Sequence, residues 1–399
     1  MTFPDQYARG TGKRKAICVV TTTPLIVNFF LRGSLAALAS SYDLTLILNL
    51  NEPYKPNLAG IDLHVIPVRI ERKISLFRDI TALARLVAIF MSNNFRVVHS
   101  VAPKAGLLAM VAAWIARVPT RIHTFQGEIW AARSGFMRLL LKTADRIVVR
   151  IATHLLVVSR SEQDFLIEQG ILTPARSRVL ASGSISGVDI ARFRANAEAR
   201  SRIRRDLDID DADVLFLFLG RISRDKGILD LASAFASVAT ELANVRLLIV
   251  GPDEDGIQPQ ILSHAGAAAA KVRIRGITDT PEEVLAAADV ICLPSYREAF
   301  GMVILEAAAA GIPAIASRIY GITDAVVEGK TGLLHEPLNL QDLAFQMKKL
   351  AENPGLRRAL GEAARARVHR EFRSERVIEE LLKFYDDATS DGPRAPASP

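Results

Sequence analysis

Short apolar runs alternate with helical stretches along this chain, and they do so in two successive sets. In the first half the runs are 16–21, 43–50, 63–68, 96–99, 121–124, 154–158 and 178–181. They are rich in Val, Ile and Leu, the composition of strands covered on both faces, which means parallel strands. Helical spacing fills the gaps, as over 104–117. A break follows at 187–197, then a charged stretch over 200–213. The second set has strands at 214–219, 245–250, 272–275, 290–293 and 314–317. Its helices are expected at 227–241, 281–288, 302–310, 340–352 and 355–370. Two such sets predict an α/β protein of two doubly wound, Rossmann-like domains facing across a cleft. A chain of 399 residues also exceeds one ordinary core. The expected division is 1–195, 196–373, a helix over 374–388 crossing back onto the first domain, and a disordered Pro- and Ser-containing tail over 389–399.

Composition narrows the class. Half the residues are apolar, which excludes extended disorder. Cys18 and Cys292 lie inside apolar runs, as buried reduced thiols do, not as a disulfide or metal pair. The first residues are polar and show no cleavage pattern, and the longest apolar stretch, 106–116, is shorter than the roughly twenty residues a bilayer requires. A cytoplasmic protein is expected. The formal charge of +7 hides an asymmetry: residues 1–200 carry 26 Lys+Arg against 13 Asp+Glu, a net of +13, and the rest carry −6. A basic first half suits an anionic partner. Charge alone admits nucleic acid, an acidic membrane surface or a phosphorylated acceptor. No aromatic–basic interleaving supports nucleic acid, so none is expected.

Two motifs carry chemistry. The strand 214–219 runs into Gly220-Arg221, and Lys226-Gly227 then opens a helix. A glycine turn, a forked guanidinium, an ammonium and a helix N-terminus together suit a diphosphate, although a solvated loop with surface cations has the same composition. The strand 290–293 ends in Pro294, and Glu298 and Glu306 follow with seven residues between them. In one continuous helix the two carboxylates would be offset by roughly 80°. With Glu298 in the loop and Glu306 on the second helical turn, both reach one elongated ligand, and the amides of Gly301, Met302 and Val303 face the phosphates between them. A helix-start glutamate plus an unrelated one explains Glu298 tolerably and Glu306 poorly, because its flanks are apolar or alanine.

The block Leu293-Pro294-Ser295…Glu298-Ala299-Phe300-Gly301-Met302…Glu306-Ala307…Gly311-Ile312-Pro313 resembles the retaining glycosyltransferases of family 4, which have the GT-B fold. The likeness continues in Gly220-Arg221…Lys226-Gly227, Val250-Gly251, Gly276, 328–334, Val157-Val158-Ser159 and Gly183…Asp189…Phe193. It implies that Arg221 and Lys226 bind the donor diphosphate, Glu298 the sugar hydroxyls and Glu306 the ribose. It also implies backbone support near Gly220 and from Phe300 to Val303, with the loop after Gly276 facing the base. His123 looks like the family's cleft histidine beside the reacting sugar, so His123, Glu298, Lys226 and Arg221 form the expected catalytic set. His99 and Lys104, with Arg72 and Lys73, are candidates for the acceptor side. No cofactor or metal is implied. The donor would be a nucleoside-diphosphate sugar, UDP-linked hexose or N-acetylhexosamine.

Departures exist. Many members carry a Gly-Gly pair after the first strand, where this chain has Thr21-Thr22-Thr23-Pro24. That loop, with 103–106, looks more like the bacterial polysaccharide and glycan-assembly branch, whose acceptors are polyprenyl-diphosphate-linked sugars. A UDP-sugar epimerase on a similar scaffold and a non-catalytic glycan- or lipid-binding module are the alternatives. The acidic run Asp206 to Asp213 lacks the glycine and final glutamate of a calcium loop and is expected to be a solvated connector. In the run from Arg72 to Met91, Leu76, Phe77, Ile80, Leu83, Ala84 and Val87 share one helical face. That face suits packing on the sheet, or a basic, aromatic edge seated on anionic lipid at the inner face of the cell membrane.

Overall fold

The computed structural model describes residues 14–52, 54–71 and 75–390. Arg72 and Lys73 lie outside the described residues, as does most of the tail. By its internal contacts the chain divides into two units. The first comprises residues up to Val158, Gln163–Leu180 and everything from Val377. The second comprises Ser159–Glu162 and Ala181–Arg376.

The first unit holds a parallel sheet of β1 (Ala16–Val20), β2 (Asp43–Leu48), β3 (His64–Pro67), β4 (Val97–Val101), β5 (Thr120–Phe125), β6 (His154–Val157) and β7 (Ser177–Val179). Their order is β3-β2-β1-β4-β5-β6-β7. The connecting helices are α1 (Pro24–Ile26), α2 (Arg32–Ser41), α3 (Leu76–Ser92), α4 (Pro103–Ile115), α5 (Gly135–Ile151) and α6 (Arg160–Glu168). Central strands are buried along their length, as the apolar runs require: Ile17, Cys18, Val20, Val97 and Val98 have no exposed surface.

The second unit repeats the plan with β8 (Val214–Leu219), β9 (Val245–Val250), β10 (Val272–Arg275), β11 (Val290–Leu293), β12 (Ala314–Ser317) and β13 (Gly332–His335), ordered β10-β9-β8-β11-β12-β13. Its helices are α7 (Ala197–Asp206), α8 (Ile228–Glu241), α9 (Gln258–Ala265), α10 (Pro281–Ala287), α11 (Met302–Ala309), α12 (Ile322–Ala325), α13 (Leu340–Glu352) and α14 (Pro354–Glu371). In both sheets the strand order reverses next to the first strand, between β1 and β4 and between β8 and β11. Loops leaving the carboxyl ends of strands at such a reversal form the ligand crevice of a doubly wound sheet.

The last helix, α15 (Ser374–Ser390), belongs to the first unit from Val377 onward. Val377, Leu381, Phe384 and Tyr385 bury its apolar face. Tyr42 Oη donates to Asp386 Oδ1 at 2.7 Å, and Thr120 Oγ1 to the Ala388 carbonyl at 3.3 Å. The return crossing expected from sequence is therefore present. Where the chain enters the second unit it is laced to where it leaves: Val188 N donates to Phe372 O at 2.7 Å, and Ser374 N to Val188 O at 3.0 Å.

Several expectations need correction. By internal contacts the segment from Ala181, ahead of the expected boundary at 195, groups with the second unit, where Ser184 Oγ meets Met302 Sδ at 3.1 Å. Strand β13 was not foreseen: it reads Gly-Leu-Leu-His directly after a glycine-containing turn, so only Leu333 and Leu334 mark it as apolar. The final helix runs to Ser390, past the expected 388. The helical run Pro24–Ser41 is long and apolar enough to cross a membrane, contrary to the expectation that no stretch is. Here Val27, Leu31, Leu35 and Leu38 are buried, so its inner face is used in the core of the first unit. Both cysteines are buried and free, and burial pushes both thiols far above their ordinary range, which makes them poor nucleophiles. The acidic run closes as a turn: Arg204, itself buried, donates to the carbonyls of Asp210 and Asp213 at 2.5 and 2.6 Å.

Candidate active site

The two motifs meet at the reversal in the second sheet. β8 and β11 are hydrogen-bonded neighbours, with Val290 opposite Phe216, so their loops leave side by side. Gly220 follows β8 directly, and a short helical turn over Arg224–Lys226 leads into α8. At Gly227 the chain is left-handed (φ +64°), and an added Cβ would lie 2.0 Å from the Pro294 carbonyl oxygen. Only glycine lets the start of α8 approach the end of β11 this closely. Gly321 supports the same loop from the other side: its φ is +80°, and a Cβ there would come within 2.5 Å of the Ala299 carbonyl oxygen.

This fixed backbone brings Lys226 and Glu298 into contact. Lys226 Nζ lies 2.5 Å from Glu298 Oε1, and Ser295 Oγ donates to the same oxygen at 3.0 Å. Both charged side chains retain a little solvent access, 13% and 15%. Arg221 Nη1 lies 2.5 Å from Glu254 Oε2, and its Nη2 3.7 Å from Asp225. Arg297 approaches Asp225 at 3.5 Å, and Ser223 Oγ donates to Asp225 at 2.5 Å. Burial alone would raise the Asp225 carboxyl, but Ser223, Lys226, Arg221 and Arg297 outweigh it and hold the group below its ordinary range. Each cation is thus held by a carboxylate that an incoming anion can replace.

Downstream, Gly301 is left-handed and α11 begins at Met302 with no side chain capping that end. The Met302 and Val303 amides therefore lack intrahelical acceptors. Met302 Sδ receives a contact from Ser184 Oγ at 3.1 Å. Phe300 is buried, edge-on to Phe372 with ring centres 5.6 Å apart, so its ring serves the core and only its backbone is available to a ligand. Glu306 stands on the second turn of α11 between buried Leu305 and Ala307. Part of the residue reaches solvent, yet the packing around its carboxyl pushes it up to about 8; Arg192 pulls it down and Glu282 adds to the rise. A carboxyl in that condition donates as well as accepts, which suits a diol. Gly276 follows β10 at the sheet edge and is exposed.

In the first unit, His123 and His99 sit on neighbouring strands β5 and β4 and are both buried. His99 Nδ1 lies 2.7 Å from Tyr385 Oη and its Nε2 2.7 Å from Thr124 Oγ1. Both nitrogens are occupied, so His99 ties α15 to the sheet. His123 Nδ1 pairs with Ser100 Oγ at 2.9 Å, and no described residue bonds its Nε2. Burial lowers both rings to about 3, with His99 adding to the shift at His123, so both are neutral imidazoles. The ring of His123 fills the space beside Gly106, where a Cβ would lie 2.3 Å from Cε1. Lys104 is paired with Asp79 at 2.6 Å.

The structure therefore brings Arg221, Lys226 and Glu298 together and leaves Glu306 one helical turn further on. Sequence reasoning missed Ser295, Asp225, Arg297 and Glu254. The run Gly251-Pro252-Asp253-Glu254 follows β9, next to β8, and its acidity opposite a basic loop was the available signal.

Comparison with known proteins adds a family. Residues 199–367 match the model described as glycosyl transferases group 1, and residues 27–183 match the glycosyl transferase 4-like domain. The capsular polysaccharide biosynthesis glycosyltransferase CapM of Staphylococcus aureus is 30% identical over 325 residues, covering 81% of this chain and 84% of that protein. A D-inositol 3-phosphate glycosyltransferase of Kribbella flavida is 28% identical, covering 85% of this chain and 81% of that one. Among solved structures, sucrose-phosphate synthase of Thermosynechococcus elongatus superposes with TM-score 0.80 at 21% identity, over 94% of this chain and all of that one. Anabaena HepE, in complex with UDP and glucose, gives TM-score 0.76 at 18% identity, over 94% and 100%. These two share the fold.

Proposed function

The chain belongs to the group 1 glycosyltransferases, and from that membership we propose that it moves a hexose or N-acetylhexosamine from a UDP-sugar to a saccharide on a polyprenyl-diphosphate carrier, with retention of configuration. The work would be bacterial surface-glycan assembly at the cytoplasmic face of the membrane. CapM's part in capsular polysaccharide biosynthesis supports the glycan class. The UDP and glucose bound by HepE support the donor class. The observation that carries the reading is the contact between Lys226 and Glu298 beside Arg221, at the reversal of the second sheet.

In this reading the donor diphosphate takes Arg221, Lys226 and the Met302 and Val303 amides from their present surroundings. Glu298, released from Lys226, accepts from sugar hydroxyls, and Glu306 engages the ribose. The acceptor hydroxyl attacks the anomeric carbon on the face from which UDP departs. The new C–O bond forms as the bond to the diphosphate breaks, and the acceptor's proton passes to the leaving phosphate oxygen. Catalysis is positioning plus stabilisation of the leaving charge. His123, neutral, would hold a sugar hydroxyl through Nε2, and no metal would be required.

Melting-point shifts with UDP, GDP and their sugars test the donor, since a ligand that binds the native form alone raises the melting temperature. UDP-sugars should shift it and GDP-sugars should not. Transfer to a synthetic polyprenyl-diphosphate sugar should be unaffected by EDTA, and the product should keep the donor's anomeric configuration. An inverted product would refute the mechanism, and epimerisation of UDP-sugar without acceptor would refute the reaction.

A further inference from the structure

The first unit carries an apolar layer that no described residue covers and that the transfer chemistry does not use. Helices α3, α4 and α5 connect successive parallel strands, and α4 packs against both others. Each starts at the carboxyl edge of the sheet, and the Lys104–Asp79 pair joins the first turns of α4 and α3. At that end of α3, Leu76 and Phe77 are each 78% exposed and Ile80 is 61% exposed. The side of α3 that meets the core is Ala82, Leu86 and Phe90 instead. The stripe, for which the sequence left sheet packing and a lipid-facing edge both open, turns outward at its start, while Leu83 and Val87 pack against the core. The same end of α5 shows Phe136 at 77%, Leu139 at 58% and Leu140 at 45%. Large apolar side chains gathered on two flanking helices are unlike the scattered exposed residues of an ordinary surface.

The charge around this layer is one-sided. From 76 to 151 the chain has 11 Lys+Arg and 3 Asp+Glu. Of the three acids, Glu128 and Asp145 are buried and Asp79 is paired with Lys104. Arg85, Arg117, Arg133, Arg146 and Arg150 are exposed. The exposed Leu338 and Phe345 of the second unit instead lie in a stretch with Glu336 and Asp342. Apolar side chains amid uncompensated arginines fit a surface that is anionic outside and hydrocarbon within.

We propose that the starts of α3 and α5 form a membrane-docking face, with Leu76, Phe77, Phe136 and Leu140 entering the headgroup–acyl boundary of an anionic bilayer and Arg133 and Arg146 lying along its charged surface. The face names the surface on which the proposed lipid-linked acceptor would be met, and to that extent it rests on the proposed function. Its test is separate. The full chain is sedimented with vesicles of equal parts phosphatidylglycerol and phosphatidylcholine, and with pure phosphatidylcholine. Wild type should bind the first and bind the second at least about ten-fold more weakly. Leu76→Glu with Phe77→Glu, and Phe136→Glu with Leu140→Glu, should each lower binding about ten-fold or more. Arg133→Glu with Arg146→Glu should remove the preference for phosphatidylglycerol. Melting temperature and UDP affinity should stay at wild-type values in all three, since every substituted side chain is solvent-exposed. Failure of wild type to bind, or binding by the apolar variants at wild-type strength, would overturn the docking face. So would apolar substitutions that leave vesicle binding intact and convert a dimer to a monomer, because they would assign the face to a second copy of the chain. A wild-type chain that binds UDP and transfers sugar but does not bind vesicles would overturn the face alone; a wild-type chain that binds vesicles without transfer would overturn the proposed reaction alone.

Discussion

The loops at the reversal of the second sheet and the histidine strands of the first unit treat ionisable groups in opposite ways. Around β8 and β11, Arg221, Asp225, Lys226 and Glu298 are paired with one another and reach solvent in part. On β4 and β5, His99 and His123 are buried as neutral rings. Paired charges at a water-accessible edge can exchange partners with a charged ligand at modest cost, because solvation and Coulomb terms nearly balance there. Buried neutral rings cannot: His99 bonds Tyr385 and Thr124 through its two nitrogens, and His123 bonds Ser100 through Nδ1, without either carrying charge. The difference separates groups that handle charge from groups that only hydrogen-bond.

The sharpest way to break this comparison is to remove one paired charge. Lys226→Ala or Glu298→Ala should lower transfer by about 10²–10³-fold or more while leaving the far-UV circular dichroism spectrum unchanged. Turnover at the wild-type rate in either variant would show that the pair is ornamental. Next in size is Gly227→Ala, which places a Cβ 2.0 Å from the Pro294 carbonyl in a left-handed residue. It should cost about 1–3 kcal/mol in urea unfolding and weaken UDP binding in calorimetry. Unchanged stability would mean that the two loops are not clamped.

The pH dependence sharpens the contrast, because the two regions should slope in opposite directions. The histidines titrate near 6.5 when unfolded and near 3 when folded. As pH falls through that window the unfolded chain takes up protons that the folded chain refuses, so stability present above 6.5 is lost. Glu306 keeps its proton to about 8 in the folded chain and releases it near 4.5 when unfolded. Its influence therefore lowers stability as pH rises between those values. Melting curves across pH should show His123→Gln flattening the acid limb and Glu306→Gln the alkaline limb. A limb unchanged by its substitution would remove that residue from the account. The smallest effect belongs to Tyr385→Phe. It strips His99 Nδ1 of its hydroxyl partner and should cost about 1–2 kcal/mol in urea unfolding with UDP affinity unchanged. A drop in UDP affinity would tie the strut to the site.

Much of this was legible along the chain. Strands β8 to β12 begin and end at the expected residues; β8, β11 and β12 do so because a strand buried on both faces is apolar along its length, whereas the edge strand β10 alternates Val-Arg-Ile-Arg. Lys226 and Glu298 were legible because each follows a strand end with a glycine nearby. Strand β13 was not, because a glycine and a histidine leave only Leu333 and Leu334 as its apolar mark. The pairing of His99 was hidden because its partner, Tyr385, lies far along the chain on the returning helix. The outward turn of Leu76 and Phe77 was one of two readings the sequence left open, since helical spacing shows that residues share a face and not what that face meets.

Sequence alone settled the α/β class, the two sheets and the return of the last helix, and it marked the two loops that carry Arg221, Lys226 and Glu298, because these follow from local periodicity and from glycines with few conformational alternatives. Tertiary structure decided which charges touch, that Glu254 and Asp225 hold Arg221, that His99 is a strut, and that α3 and α5 leave an apolar edge uncovered. Those outcomes depend on strand order and on which segments become neighbours, and pairing across a sheet carries no mark in the order of residues along one strand.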